Sequence, residues 1–418
     1  MVTHPYVRGL EAAEFIMGSP AIKGIPMWRG RGMDAVRLLV KVFVELVRAR
    51  HPVDVVEHGF LASQADNRRV FGDYGNVYEL LDLPGNPDAL FRSDQIVSSL
   101  ARLDREQSAG PLVAVGPVLR RFAGRTAPLF RDRMVWPVVE LNQLAPDGTA
   151  EEVLDFYRVV IEELLLTIGI RSFTVCTGEL ADYGRLTYLV VTALPNRRPT
   201  VLATLYVLAD GLREALGQEQ DIVDVGFTGK VLATTAMVHT DSRGLVLAST
   251  VAPVQLGVTV APATDLDDCR DWFQALEAAG IRYEVVRASA STSSRARAER
   301  SWHRRGVPLV VGLGRSPGSV VLCSRLPQTR VPLSGRPAPD TVRAHLDSHD
   351  QRLRDSSQRL LTDTTERNGH LRTLCGACAA DPGSAVFGHV VPITAGRCDT
   401  CGADDGREYF ISKEGRFY

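Results

Sequence analysis

Four cysteines near one end constrain this chain more than any other feature. Cys375-Gly-Ala-Cys378 and Cys398-Asp-Thr-Cys401 are two Cys-x-x-Cys knuckles separated by residues 379–397. That spacing can bring four thiolates onto one tetrahedral zinc ion. The link between them carries Pro382, Gly383, Pro392 and Gly396, too irregular for a core of its own, so a metal would hold it together. Four ligands leave no open coordination position, so the expected Zn2+ is structural. Disulfides are the competing reading, and nothing else in the sequence suggests secretion.

The 418 residues leave room for two or three domains. A net charge of -1 gives no strong global field, so contact with nucleic acid would have to come from local basic patches. Cys176, Cys269 and Cys323 are isolated and read as small buried side chains in a reducing compartment. No run of 18 apolar residues occurs and no basic-then-apolar leader opens the chain, so the expectation is a cytoplasmic protein with no membrane partner. The most apolar stretch, 36–47, is broken by Arg37, Lys41 and Glu45 and reads as a packed amphipathic helix.

Residues 63–88 are polar and read as loop-rich. Two strands follow, 112–122 and 131–141, joined antiparallel by a basic loop with Gly124, Arg125 and Pro128. Thr149 and Glu152 form a capping box ahead of an amphipathic helix that Gly169 closes. Strands are expected at 172–177, 186–193, 201–207 and 244–248, with helices at 209–216 and 231–238. From Val251 onward, strands at 256–262, 283–288, 309–312 and 320–324 alternate with helices at 265–279 and 294–304, indicating a small α/β domain with a mainly parallel sheet. A polar helix from Asp340 to about Thr364 leads into the cysteine module.

Three stretches, taken together, resemble the prolyl-tRNA synthetases. Gly244-Leu-Val-Leu with Val251-Ala-Pro-Val-Gln255 is similar to their junction between catalytic and anticodon-binding domains. Gly306-Val-Pro-Leu309 after Arg304-Arg305 resembles a strand entry in the anticodon domain. Glu408-Tyr-Phe-Ile and Gly415-Arg-Phe-Tyr418, after four cysteines, resemble the zinc-binding tail of the archaeal-type enzymes. The resemblance implies an α/β chain: a class II α+β catalytic domain over 1–250 built on an antiparallel sheet, an α/β anticodon-binding-type domain over 251–338, and a helix with a zinc module over 339–418. It also implies a homodimer formed through a first motif at about 32–59, and ATP with Mg2+, an amino acid and tRNA or aminoacyl-tRNA as ligands.

The same resemblance assigns site residues. Adenylate formation needs a cation at the α-phosphate. Arg120 keeps that position, while Phe122 replaces a glutamate that would hold adenine. Lys230 stands where the third motif ends in arginine; it keeps the charge without the bidentate fork. Arg92-Ser93-Asp94 matches a "thr-ser-glu" amine loop, where Asp94 keeps an acid. Trp136-Pro-Val-Val-Glu140 matches the strand that reads "trp-gln-x-glu-x-his", and Tyr206 falls in a "thr-ser-his" element. Glu140 and Asn142 offer replacement polar groups. Arg92, Arg120, Arg125, Arg131 and Arg133 make a basic set around the expected cleft, fit for an anionic ligand or, equally in kind, a solvated arginine face. Arg295, Arg297, Arg300, Arg304 and Arg305 could engage phosphates without reading sequence.

Two other patterns are decoys. Gly226-Phe-Thr-Gly229-Lys230 is two residues short of a phosphate loop, and Val231 sits where a hydroxyl must bind magnesium. Gly312-Leu-Gly314 lacks the helix that a dinucleotide turn requires. His239 and His303 read as structural. The substitutions point to a paralogue with a repurposed pocket that activates or transfers a non-standard amino acid. The alternative is an inactive pseudo-synthetase that binds tRNA or a protein partner. Ordinary proline charging is the reading that Phe122 and the altered amine loop disfavour.

Overall fold

The computed structural model describes residues 5–17, 26–71, 80–119, 129–130, 134–180, 183–262, 264–288, 292–314 and 320–412. Its largest feature is a sheet whose strands lie in the spatial order Leu371–Leu374, Gly406–Ile411, Val386–Val391, Phe173–Leu180, Gly184–Ala193, Pro199–Leu208, Asp221–Thr228, Met134–Ala145, Leu112–Leu119, Asp54–Glu57. Neighbours are antiparallel except at one edge, where 54–57 runs parallel to 112–119. The expected antiparallel pair is therefore present, and it belongs to a mixed α/β architecture.

Strand alternation gives this sheet two different faces. Val139, Leu141, Val223, Val225, Ala203 and Leu205 fill one face, beneath helices Gly30–Arg48 and Ala150–Thr167. Those helices supply Leu39, Phe43, Leu154, Tyr157, Ile161 and Leu164 at helical spacing, all buried. Each such side chain contributes roughly 1.5–3 kcal/mol by leaving water. The second face is the polar one.

Gly169 ends the 150–167 helix as expected, and the structure gives two reasons for glycine there. Its φ is +85°, and a Cβ would lie 2.8 Å from Cβ of Leu353 on the long helix Pro339–Thr365. Thr149 does not act as the expected cap. Its hydroxyl donates to the carbonyl of Pro146 at 2.8 Å, so it closes the preceding turn instead.

The second sheet has the order Tyr283–Arg287, Leu256–Val260, Leu309–Leu313, Val320–Ser324, Thr329–Leu333. Leu256–Val260 is parallel to both neighbours, whereas the last two pairings are antiparallel. The sheet is thus half parallel, not mainly so. The links at 314–319 and 325–328 are too short for a crossover, and short links permit only antiparallel return. The 27-residue helix Pro339–Thr365 puts Val342 and Leu346 into this second core and Leu353 into the first.

Residues 244–248 are buried but form no strand, against the sequence expectation; only an isolated bridge pairs Asp241 with Gly244. A Cβ on Gly244 would lie 2.6 Å from Cα of Arg304, so the backbone of the basic helix Thr292–Arg304 occupies the place a partner strand would need. The junction is held by polar contacts instead. Ser249 donates through its N–H and its hydroxyl to Asp350, at 2.7 and 2.6 Å, and the Arg282 guanidinium donates to the carbonyls of Ser249, Thr250 and Ala252. Within 63–88, Gln64–Phe71 is helical, so that segment is more ordered than its polarity suggests. Among the described residues no helix is long and apolar enough to cross a membrane.

Candidate functional site

The polar face of the large sheet concentrates its charge at one place. Asp224 lies opposite Asn142, Gly226 opposite Glu140, and Tyr206 opposite Asp224 on the other side. Alternation sends these side chains away from the apolar core, toward the turn that carries Asp94. Glu140, Asn142 and Asp224 are all at least 95% buried. Asn142 donates to Asp224 at 2.9 Å, and the Tyr183 hydroxyl donates to the other oxygen of Asp224 at 2.9 Å. Tyr183 meets Tyr206 edge to face at 4.7 Å. Glu140 receives a long bond, 3.4 Å, from the N–H of Gln95.

Burial makes these acids hard to ionise. Desolvation, then the charges of Asp94 and Asp224, push Glu140 well above the usual carboxylate range. Desolvation and then Asp94 raise Asp224 to about 8, against the pull of its bonds from Tyr183 and Asn142. Two acceptors still lack a donor: Oε1 of Glu140 and Oδ1 of Asn142. Beside Glu140, Gly226 leaves room for a side chain to begin, since a Cβ there would meet, outside its own chain neighbours, only the carbonyl oxygen of Val139, at an ordinary contact distance of 3.9 Å. The result is a small acceptor-lined hollow in the sheet.

Of the amine-loop residues, Asp94 is half-buried and accepts from the N–H of Ile96 at 3.1 Å, while Ser93 is buried. Arg92 is turned into the protein. Its guanidinium donates to the carbonyls of Gly59 and Leu61 and to the Ser98 hydroxyl, at 2.6–2.9 Å, and so holds the 59–61 backbone. Trp136 packs edge to face on Trp28 at 5.0 Å and is followed by a cis proline.

Lys230 starts the helix Lys230–His239, directly after Thr228 on the strand that carries Asp224. It is half-buried, with its ammonium 5.6 Å from the Phe130 ring centre, and among the described residues no carboxylate pairs with it. Burial lowers it to about 8. From Asp224 to the end of the strand at Thr228 is about 13 Å, and Lys230 follows two residues beyond that end. Arg120, Phe122, Arg125, Arg131 and Arg133 lie outside the described residues, as does the terminal Gly415–Tyr418.

Sequence reasoning did not single out Asp224 or Tyr183. A lone acid inside an apolar run, Ile222-Val-Asp224-Val-Gly226, was the available signal. His239 and His303 fit a structural role. Their ring N–H groups donate to the carbonyls of Gly169 and Val307, and burial lowers both, His239 to about 4. On the basic helix, Arg297, Arg300 and Arg304 are exposed.

The four cysteines meet at one point, their sulfurs all within 4.8 Å of one another and Cys375 3.6 Å from Cys401. Tetrahedral thiolates at 2.3 Å from an ion stand about 3.8 Å apart, so the cluster suits a thiophilic metal. Backbone N–H groups, first those of Cys401 and Cys375, hold the Cys398 thiol down at about 6, which favours the ligating thiolate. The module joins the large sheet edge to edge, with His389 opposite Cys176.

Comparison with known proteins gives a consistent result. No family model matches the sequence. A proline–tRNA ligase of Ignicoccus hospitalis is 21% identical over 401 residues, 85% of this chain and 79% of its own. Ligases of the same description from Methanococcoides burtonii and Mycobacterium leprae are 28% and 25% identical, over 32% and 51% of this chain and 30% and 48% of theirs. Two of these alignments thus span less than half of the relative's length. A prolyl-tRNA synthetase of Cryptosporidium parvum, solved with halofuginone and AMPPNP, superposes with a TM-score of 0.77 over 97% of this chain and 96% of its own, at 16% identity. That likeness establishes the class II fold.

Proposed function

We propose that the chain, which is similar to proline–tRNA ligases in sequence and to a prolyl-tRNA synthetase in fold, activates an amino-acid-like substrate as its adenylate. The substrate carboxylate attacks the α-phosphorus of ATP, the bond to the β-phosphate oxygen breaks, and pyrophosphate leaves with its charge. The observation that carries this reading is the buried acceptor cluster on the sheet face, with Lys230 just beyond the end of the strand that carries Asp224. The hollow receives the amine end of the substrate. Lys230, a charge without a carboxylate partner among the described residues, faces the phosphates. Mg2+ on the pyrophosphate would share that task with Arg120, the residue the family resemblance assigns to the α-phosphate.

The cysteine cluster holds a structural Zn2+ in this reading. Dimerisation would use the edge strand Asp54–Glu57 and the helix before it, where Val55, Phe60 and Leu61 are exposed. The acceptor for the activated acyl group is tRNA, with Arg297, Arg300 and Arg304 as sequence-independent phosphate contacts. ATP–pyrophosphate exchange across a panel of amino acids tests the proposal. Exchange with at least one member supports it, and none with any member would leave a binding protein without chemistry.

A further inference from the structure

We infer that the hollow over Gly226 takes a second basic nitrogen, so that the substrate is a small dibasic amino acid and not proline. This rests on the adenylation reading for the location of the pocket, but its argument is the pocket's own chemistry.

Among the described residues, acceptors dominate the groups that face the opening from the sheet, with the Thr187 hydroxyl, opposite Tyr206, also buried and unpaired. Oε1 of Glu140 and Oδ1 of Asn142 are buried and have no donor. Both oxygens of Asp224 are engaged, by Asn142 and by Tyr183, and Asp94 spends one oxygen on the Ile96 N–H. The Arg92 guanidinium is spent on Gly59, Leu61 and Ser98 and makes no ion pair with Glu140. Buried acceptors without donors each cost about 1–3 kcal/mol. A ligand that brings N–H groups recovers that cost, and an ammonium does so with charge that matches the acids. Tyr183 and Tyr206 give the cation an aromatic wall.

Space agrees with charge. Gly226 stands level with Glu140 and two pairs from Asp224, and outside its own chain neighbours the nearest atom to where a side chain would begin is the Val139 carbonyl oxygen at 3.9 Å. A secondary amine ring such as proline's has one nitrogen, and Asp94 suffices for it. Oε1 of Glu140 and Oδ1 of Asn142 would then stay buried without a donor.

Proton linkage supplies a signature. Asp224 faces Glu140 from the adjacent strand on one side, Tyr206 from the adjacent strand on the other, Tyr183 from the turn before the strand Gly184–Ala193, and Asp94 from the turn before helix Ile96–Glu106. In that setting it holds a proton up to about pH 8. A cationic ligand displaces that proton, so its affinity rises with pH by as much as tenfold per unit below about 8 and levels off above.

The test is calorimetric titration of the full-length protein, without nucleotide, with L-2,4-diaminobutyrate, L-ornithine, L-lysine, the neutral isostere L-norvaline and L-proline. At least one dibasic probe is expected to bind about tenfold or more tighter than both neutral probes, with proton release that depends on buffer below pH 8 and not above. Asp224→Asn should remove both the preference and the proton release. Gly226→Val, which fills the hollow without touching charge, should abolish binding while circular dichroism and melting stay like the parent's. Proline binding tighter than every dibasic probe overturns the inference, as does silence from all the dibasic probes. Dibasic binding without pyrophosphate exchange would sink adenylation and leave this pocket standing. Exchange driven by proline alone would do the reverse.

Discussion

The cysteine cluster and the acceptor-lined hollow are both small polar sites attached to the same sheet, yet they are built in opposite ways. The cluster draws its four ligands from two tight turns, 375–378 and 398–401. The hollow gathers Asp94, Glu140, Asn142, Tyr183, Tyr206, Asp224 and Gly226 from five separate segments, with strand register aligning the residues at 140, 142, 206, 224 and 226 and two turns adding Asp94 and Tyr183. A site of the first kind is held by its ion. One of the second kind is held by the apolar face behind it, where Val139, Leu141, Val223 and Val225 pack under two helices.

That contrast can be broken most forcefully at the metal. Cys398→Ser removes one thiolate from the set, and structural zinc contributes on the order of 10 kcal/mol to such modules. The expected outcome is loss of bound zinc by elemental analysis and rapid proteolysis within 371–411. The hollow should survive, because its strands pack on the first core and not on the cluster. If chelation instead melted the whole sheet in one transition, the two sites would not be independent.

A smaller effect is expected at the cationic end. Lys230→Met should lower pyrophosphate exchange by about 10²–10³, some 3–4 kcal/mol of transition-state stabilisation. Its melting temperature should not fall, since burial already disfavours the charge. An unchanged exchange rate would remove Lys230 from the phosphates.

The smallest effect has an unusual sign. Unfolded Asp224 ionises near its ordinary 3.8, but the folded chain keeps it protonated to about 8. The native state therefore binds the extra proton, and stability is lost as pH rises between those values. Asp224→Asn should stabilise the unliganded protein at neutral pH, by on the order of 1–3 kcal/mol in urea unfolding. Destabilisation would mean that Asp224 serves the fold and not a ligand.

How much of this was legible beforehand follows from the same contrast. The knuckles are local, and their meeting could be read from spacing alone. Helices 150–167 and 339–365 and the strands around 134–145 and 199–208 were legible because each carries a regular apolar period. Residues 244–248 misled because an apolar run looks the same whether it pairs in a sheet or packs as buried coil against Arg304. Arg92 looked like a ligand cation, but nothing in its neighbours announced that the carbonyls of Gly59 and Leu61 would claim it. Asp224 escaped notice for the converse reason. Its partners lie 41 and 82 positions away in the chain, and a buried acid gains meaning only from what faces it.

The most direct test is a crystal structure of the protein soaked with L-2,4-diaminobutyrate and a non-hydrolysable ATP analogue. The side-chain ammonium should sit over Gly226, within hydrogen-bond reach of Glu140 Oε1 and Asn142 Oδ1, with the carboxylate directed toward the Lys230 end. Proline held there by Asp94 alone, with Glu140 Oε1 and Asn142 Oδ1 still without a donor beneath it, would contradict the account.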